Sequence, residues 1–576
     1  MAPKQKQPRA SQNPKPKSFI EGVSLPLGLL TLAAASSPIS QATLAPVFGA
    51  IPSAVNHQKA VIATCLLGIL LRPVLPKPRR GLVAQYLAVW AFWIPVIQMY
   101  LFKFSGALGP VAGPALIGFL SCHTIIIAAT YAASEALEDI REARFSGLYS
   151  GTVRSAAVCL HLVAFERQLQ SIWPALSLLS SVFTPVKMQL LTASTLVYLA
   201  PSRLTLLALP ALIHGFFANP HFDSANTLSV LNGTLLAHNW TMLDRQWSST
   251  GYISVLESLD MQYRVMRCDH SLLGGEWLLT EQRRQQEGWK VDEPIYSVFE
   301  MLEAVRLVEV EPPIVDTEAQ ALVVGLGVGT LPKAFVAHGI NTTILELDPA
   351  VHDYATKYFG LPANHTAVIR DAVSWVGETA SEGKDKYDYV VHDVFTGGAE
   401  PLALFTVTFL RNLRALLKPH GVVALNYAGD LTMPLTNKVL NTIEAVFDDG
   451  VIDGECKIFR DTPPIADTAE DKAAVNEDFT NIIIFCRNNP GPITFRKPTK
   501  ADFLGSKSRE HYMLPDPAYE MQFPPSHTMD LVGDWYRHSI IEGQELSQWS
   551  GQQAESAIKH WYVMRKVMPD AVWELW

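Results

Sequence analysis

No two cysteines of this chain stand in a CxxC pair. The six present (Cys65, Cys122, Cys159, Cys268, Cys456 and Cys486) are scattered, three of them in apolar runs, so neither a zinc site nor a disulfide framework is indicated, and buried or reduced thiols are expected. An excess of basic residues is also missing: the formal net charge is −9, which argues against a nucleic-acid surface. Charge of either sign is scarce between Phe19 and Ser134 apart from a basic knot at Arg72 to Arg80, whereas composition after Leu243 is that of an ordinary globular protein. Within 576 residues this contrast predicts a membrane half followed by an aqueous half.

Residues 1–18 are basic, rich in Pro and Gln and almost free of large apolar side chains, and are predicted to be a disordered tail. The apolar run from Phe19 to Ser37 also fits a cleaved signal peptide, but apolar segments keep recurring at Val61 to Leu71, Leu82 to Phe102 and Ile117 to Ala133. Leu82 to Phe102 carries no charge and is long enough to cross a hydrocarbon core of about 30 Å. Further regions near Ala156 to Pro185 and Met188 to Ala218 are interrupted by polar residues and prolines. The expectation is a multi-span helical membrane domain over 19–218, in contact with membrane lipid. Loops carrying Lys4 to Lys17, Arg72 to Arg80 and Arg141 to Arg154 would lie on one side, which puts the C-terminal half in the cytosol. No unpaired intramembrane acid or base marks a transport path, so this half reads as an anchor, with His123 and His161 as core or interfacial residues.

The most informative stretch is Ala321 to Asp348. An apolar run meets Gly325, Gly327 and Gly329 in a tight turn, a helical segment follows, and a second apolar run ends on Glu346. That is the pattern of a βαβ nucleotide-binding unit, whose acidic strand end can accept both hydroxyls of a ribose. Strands and helices alternate beyond it, as in a doubly wound parallel sheet, and the predicted carboxyl ends carry Glu346, Asp371, Asp393 and Asn426. Plain structural readings stand beside these. Asp348 and Asp371 each suit a helix cap, and Asp388 suits a solvated strand start. Ahead of this unit, Tyr252 to Leu256 and Tyr263 to Met266 read as short strands, Leu272 to Trp277 as a turn, and Asp292 with Pro294 as the start of a helix through Val308. This gives a small β-subdomain at 245–310, an α/β domain at 311–500 and an aromatic-rich C-terminal extension at 501–576.

The segments VVGLGVGTLP, LELDPAV, RDAVSWV, YDYVVHDVFTGG and FLRNLRALLKPHGVVALN resemble the spermidine synthase (polyamine aminopropyltransferase) family, here as a membrane-fused member. The resemblance implies the Rossmann-like class I S-adenosylmethionine methyltransferase fold with a small N-terminal β-subdomain. It further implies that Gly325, Gly327 and Gly329 cradle the donor, that Glu346 holds the ribose, and that Asp371 and Ala372 contact the adenine. Asp393 matches the acid that takes a proton from the attacking amine, and Tyr296 matches a tyrosine that helps hold it. No metal is implied, and the family often forms homodimers.

Three departures bear on the substrate. An acid within the glycine turn is replaced by Val328, a second acid after Asp393 by Thr396, and a glutamine after the tyrosine by Ser297. Each lost carboxylate weakens the binding of a multiply charged polyamine. The turn is equally similar to that of protein methyltransferases, because intact S-adenosylmethionine keeps a carboxylate that an acid there would repel. Aminopropyl transfer from decarboxylated S-adenosylmethionine to a small amine or polyamine is still the reaction that the family resemblance implies. Methyl transfer from S-adenosylmethionine to a protein or small-molecule acceptor is the alternative, and a catalytically silent scaffold or transporter is a second one. An acidic insertion at 447–475 reads as a solvated loop. Trp535, Trp549, Trp561, Tyr562, Trp573 and Trp576 predict packing on another surface or a membrane interface.

Overall fold

The computed structural model describes residues 19–75, 81–141, 149–177, 183–394, 401–447, 454–463, 478–522, 540–543, 546 and 550–576. The predicted basic tail, positions 77–80 of the basic knot, Arg144, Thr396, most of the acidic insertion, Trp535 and Trp549 lie outside these residues.

The first half is a helical bundle: α1 (Phe19–Phe48), α2 (Ala50–Ala54), α3 (His57–Leu71), α4 (Leu82–Phe102), α5 (Ser105–Gly118), α6 (Thr124–Arg141), α7 (Tyr149–Ser177), α8 (Pro185–Leu199) and α9 (Leu209–Phe217). Its core is lined by small residues such as Ala33, Ala34, Ala88, Ala91 and Ala129, which let helix backbones approach closely. Gly68 shows the tightness, since a Cβ there would sit 1.9 Å from Thr130 Oγ1. Among the described residues three stretches, Ala50–Leu71, Leu82–Phe102 and Ser105–Leu137, are long and apolar enough to cross a membrane. Glu166 of α7 is fully buried but not isolated: Ser37 Oγ of α1 donates to it at 2.8 Å, tying the two helices, and Gln170 Nε2 of its own helix donates at 2.9 Å.

Helix α10 (Ala225–Leu236), started by a capping box between Ser224 and Thr227, leads into a five-stranded antiparallel meander. Its strands are β1 (Trp240–Ser248), β2 (Gly251–Ser258), β3 (Tyr263–Cys268), β4 (Ser271–Trp277) and β5 (Glu293–Pro294). Two local expectations are corrected here. Leu272 to Trp277 forms strand β4 rather than a turn. Glu293 and Pro294 pair with it as β5 instead of opening a helix, which begins only at α11 (Val298–Leu302). A proline is tolerated on so short an edge strand, and Asp292 accepts a hydrogen bond from Leu279 N rather than capping a helix.

The second sheet is built from β6 (Gln320–Val324), β7 (Asn341–Glu346), β8 (Thr366–Ile369), β9 (Tyr387–His392), β10 (Leu417–Asp430), β11 (Gly454–Arg460), β12 (Phe479–Pro490) and β13 (Glu520–Met521). Its order is β8-β7-β6-β9-β10-β12-β11-β13, parallel from β8 to β10 and antiparallel thereafter. Helices α12 (Thr330–Ala337), α13 (Pro349–Phe359), α14 (Ala372–Glu382), α15 (Val407–Ala415) and α16 (Pro434–Phe447) intervene along the chain. Burial on both faces explains the apolar run of β6, and β9 is likewise buried along its whole length. Asp388, expected to be solvated, is instead buried at the start of β9, where Lys418 Nζ reaches it at 2.7 Å. Cys456 and Cys486, expected to be reduced, face each other across β11 and β12 and are disulfide-bonded.

The residues after 500 are not an appendage. Arg509 forms a buried ion pair with Glu303 at 2.8 Å, and Trp573 and Trp576 are fully buried together with Phe48, Phe102, Trp240 and Tyr252. Of the two readings of the aromatic tail, these tryptophans follow packing on another surface.

Candidate active site

A turn from a buried strand into a helix has to reverse the chain in a few residues. Here β6 ends at Val324, and Gly325, Gly327 and Gly329 all have positive φ (91°, 54° and 81°) before α12 begins. Two of these positions tolerate no side chain at all. A Cβ on Gly325 would lie 2.1 Å from the Asp393 carbonyl oxygen, and one on Gly327 would lie 2.5 Å from the Leu273 carbonyl oxygen. The turn is thereby pressed against the end of β9 on one side and against the β-subdomain on the other.

Beside this turn lies a cavity of about 420 Å³ along the carboxyl edge of the parallel strands. It brings together Gly325, Gly327, Glu346, Asp371, Ala372, Asp393 and Tyr296, while Gly329 is set back from it as the N-cap of α12. Asn426, expected at a strand end and given no role, lies within β10, which runs on to Asp430, and also lines the cavity, as do Thr250 and Leu273 of the β-subdomain. So do His560, Val563 and Met564 of the C-terminal helix Ser550–Val567, which no pattern in the sequence connects with the glycine turn.

Glu346 is held by backbone. Leu326 N donates to Oε2 at 3.0 Å and Asp348 N to Oε1 at 2.8 Å, which fixes the carboxylate and leaves each oxygen further lone-pair capacity. Burial pushes its carboxyl up to about 7, against the pull of those N–H groups. Asp348 points elsewhere: it caps α13 and accepts from Thr250 N (2.9 Å) and Oγ1 (2.6 Å), fastening the β-subdomain to the large sheet. Asp371 lines the cavity and also caps α14 through Ser374 N (2.8 Å).

Asp393 follows β9 directly, its N–H bound to the Val324 carbonyl at 2.9 Å. Burial raises its carboxyl to about 6, and Asn426 Nδ2, donating to Oδ1 at 2.9 Å, works in the opposite direction. Among the described residues, Asn426 Oδ1 and Tyr296 Oη are buried without a hydrogen-bond partner. Unsatisfied buried polar atoms are uncommon, and these two share the cavity with Asp393. By contrast, Asp461 at the far end is committed to Thr480 Oγ1 (2.7 Å) and to Asn481 N (3.1 Å) and Nδ2 (2.6 Å). Val328 is 1% exposed and packs against Gly274 outside the cavity.

The strand order and its glycine turn define a class I methyltransferase or spermidine synthase-like α/β fold, and the chain is a transferase using a sulfonium donor of the S-adenosylmethionine type. It belongs to the family of the N-terminal histidine N-methyltransferase of Emericella nidulans, to which it is 37% identical over 95% of its own length and 96% of that protein. Shorter matches join it to a probable polyamine aminopropyl transferase of Bifidobacterium longum (28% identity, 24% of this chain, 31% of that one). A similar match is to the human eEF1A lysine and N-terminal methyltransferase (30% identity, 22% of this chain, 20% of that one). No protein-family model matches. Among solved structures, a probable spermidine synthase from Corynebacterium glutamicum aligns over 46% of this chain and 87% of its own, with 15% identity and a TM-score of 0.33.

Proposed function

We propose that this protein transfers a methyl group from S-adenosylmethionine to a nitrogen of an N-terminal histidine in a protein or peptide. The observation that carries the reading is the likeness to a histidine methyltransferase across helical bundle and α/β domain alike. The cavity supports methyl over aminopropyl transfer. Its glycine turn carries no acid, and at the acceptor end Asp461 is committed to neighbours, leaving Asp393 as the carboxylate available to an incoming nitrogen. A polyamine would bring several ammonium groups to one carboxylate, which is costly.

In this reading the backbone of Gly325 and Gly327 lies along the donor, Gly329 shapes the turn, Glu346 accepts the ribose hydroxyls, and Asp371 and Ala372 border the adenine. The donor, when bound, supplies a methyl group on a positive sulfur that is already a good leaving group. The chain therefore has to align rather than activate it. Tyr296 holds the acceptor. Its nitrogen lone pair forms the new N–C bond, the C–S electron pair returns to sulfur, and Asp393 receives the proton shed by nitrogen.

The bundle fits a membrane anchor by the length and composition of its three apolar stretches. The Cys456–Cys486 bridge supports a catalytic domain on the non-cytosolic side, against the expectation from the positive loops, because such bonds persist in oxidising compartments. Protease protection in sealed vesicles tests the side. The reaction is tested by incubating the detergent-solubilised full chain with S-adenosylmethionine and peptides beginning with His, or with the same His moved to the second position. Methylation confined to the first set is expected. Transfer of an aminopropyl group from the decarboxylated donor to a polyamine, with no peptide methylated, would refute the reading.

A further inference from the structure

The cavity runs along the whole carboxyl edge of the large sheet. At one end stand the ends of β8, β7 and β6 with Asp371, Glu346 and Gly325. At the other stand Asn426 within β10, the start of β12 (Thr480) and the residue after β11 (Asp461). Asp393, at the end of β9, lies between the two halves. In the second half one wall is not sheet at all, but the C-terminal helix Ser550–Val567 with His560, Val563 and Met564.

That helix is anchored from two directions. Trp561 Nε1 and Arg565 Nη2 both donate to the Val47 carbonyl at the end of α1, at 3.0 and 3.2 Å. On the catalytic side, Lys559 Nζ lies 2.7 Å from Asp430 Oδ2 at the end of β10. Neighbouring residues of one helix are thus bound to the bundle, bound to the sheet and turned into the cavity.

We propose that this helix, rather than the α/β core, selects the acceptor. The first residue of the substrate chain lies between His560, Val563 and Met564 on one side and Asn426 of β10 and the start of β12 on the other, with its nitrogen toward Asp393. This inference rests on the methyl-transfer reading above. Three features favour it. The donor's needs are met by β6 to β8, so the remaining space belongs to the acceptor. Asp461, the carboxylate at the far end, is bound to Thr480 and Asn481, so charge does not dominate recognition there. The helix itself offers apolar Val563, adaptable Met564 and an imidazole that burial lowers to about 4 and so keeps neutral. Such a wall suits an uncharged, flat side chain. The bundle is then more than an anchor, since its Val47 carbonyl sets the position of the specificity wall.

The test uses two full-length variants in detergent, Val563→Trp to narrow the space and Met564→Ala to widen it. S-adenosylhomocysteine affinity is measured by titration calorimetry, and kcat/KM on peptides that begin with His, Phe, Ala or Lys. Unchanged S-adenosylhomocysteine affinity is expected in both. Val563→Trp should lower kcat/KM for the histidine peptide about tenfold or more, and Met564→Ala should shift preference toward the larger first residue by about the same factor. A change by one common factor for all peptides, an unchanged KM, or a parallel loss of S-adenosylhomocysteine binding would overturn acceptor selection by this helix. A wild-type protein that binds S-adenosylhomocysteine yet methylates no peptide would overturn the methyl-transfer reading and this inference with it.

Discussion

Replacing Asp393 by Asn separates chemistry from binding at this site. The change is close to isosteric, and the new amide oxygen can still accept from Asn426 Nδ2, which reaches the present carboxylate at 2.9 Å. The backbone at 393 is fixed independently through Val324 and by contact with Gly325, so the turn beside the donor keeps its shape. What disappears is the proton acceptor. A positioned general base contributes roughly 10²- to 10⁴-fold, so kcat should fall by that factor, equivalent to about 3–5 kcal/mol of barrier, with donor affinity nearly unchanged. The pH profile gives a second readout. Burial holds the Asp393 carboxyl near 6, and only the ionised form accepts a proton. Wild-type kcat/KM should therefore rise with pH to a plateau above about 6, falling about tenfold per unit below it, and the variant should lose that limb. Methyl transfer followed by mass spectrometry, with calorimetric titration of S-adenosylhomocysteine, provides both measurements. Turnover within about tenfold of wild type together with an unchanged acid limb would refute the assignment of Asp393 as the base.

Other consequences follow from the same geometry. Glu346→Gln should weaken donor binding, because its amide NH2 would face one of the two backbone N–H groups that now donate to the carboxylate. The folded carboxyl sits near 7 rather than 4.5, so in the wild type the stability it contributes at low pH is lost as pH rises through 7, and the variant should lack that pH dependence of the melting temperature. Gly325→Ala should abolish donor binding or prevent folding, as read by calorimetry and circular dichroism, because its methyl group would meet the Asp393 carbonyl at 2.1 Å. Trp573→Ala should cost about 3–5 kcal/mol in denaturant unfolding, since the ring is fully buried. Reduction of Cys456–Cys486 should lower the melting temperature, and Cys456→Ser should remove that sensitivity.

The nucleotide unit was legible because its signals are local. Steric limits on the backbone demand glycine where β6 turns into α12, and burial on both faces demands an apolar run at β6, so spacing and composition carry the fold. Asn426 was visible, but its tie to Asp393 depends on β9 and β10 being neighbours in space. Short strands fared worse. Glu293 and Pro294 look like a helix start by sequence, and only pairing with β4 makes them an edge strand. The disulfide was illegible for a similar reason, because its cysteines are 30 residues apart and become adjacent through the β11–β12 register.

Dividing the chain into an anchor, a catalytic core and an extension misses how the three depend on one another, and Arg267 shows why. It is a fully buried arginine on β3, a costly placement unless its N–H groups are satisfied. Its partners are the carbonyls of Asp269 nearby, of Pro46 near the end of α1, and of Val572 (2.9 Å) and Trp573 (3.0 Å) at the C-terminus, while its guanidinium lies 5.0 Å from the Trp573 ring centre. Helix ends leave carbonyls without intrahelical partners, and here one side chain serves those of α1 and of the short helix Asp570–Glu574, more than 500 residues apart in the chain. No local pattern announces such a junction, since each partner alone is an ordinary residue. Removing the bundle would deprive Arg267 of the Pro46 carbonyl, and Trp561 and Arg565 of the Val47 carbonyl, at one stroke. The wall of the cavity is therefore stabilised by the segment that the sequence presents as a mere anchor, and activity of an isolated C-terminal half does not follow from its possessing the proposed donor-site residues.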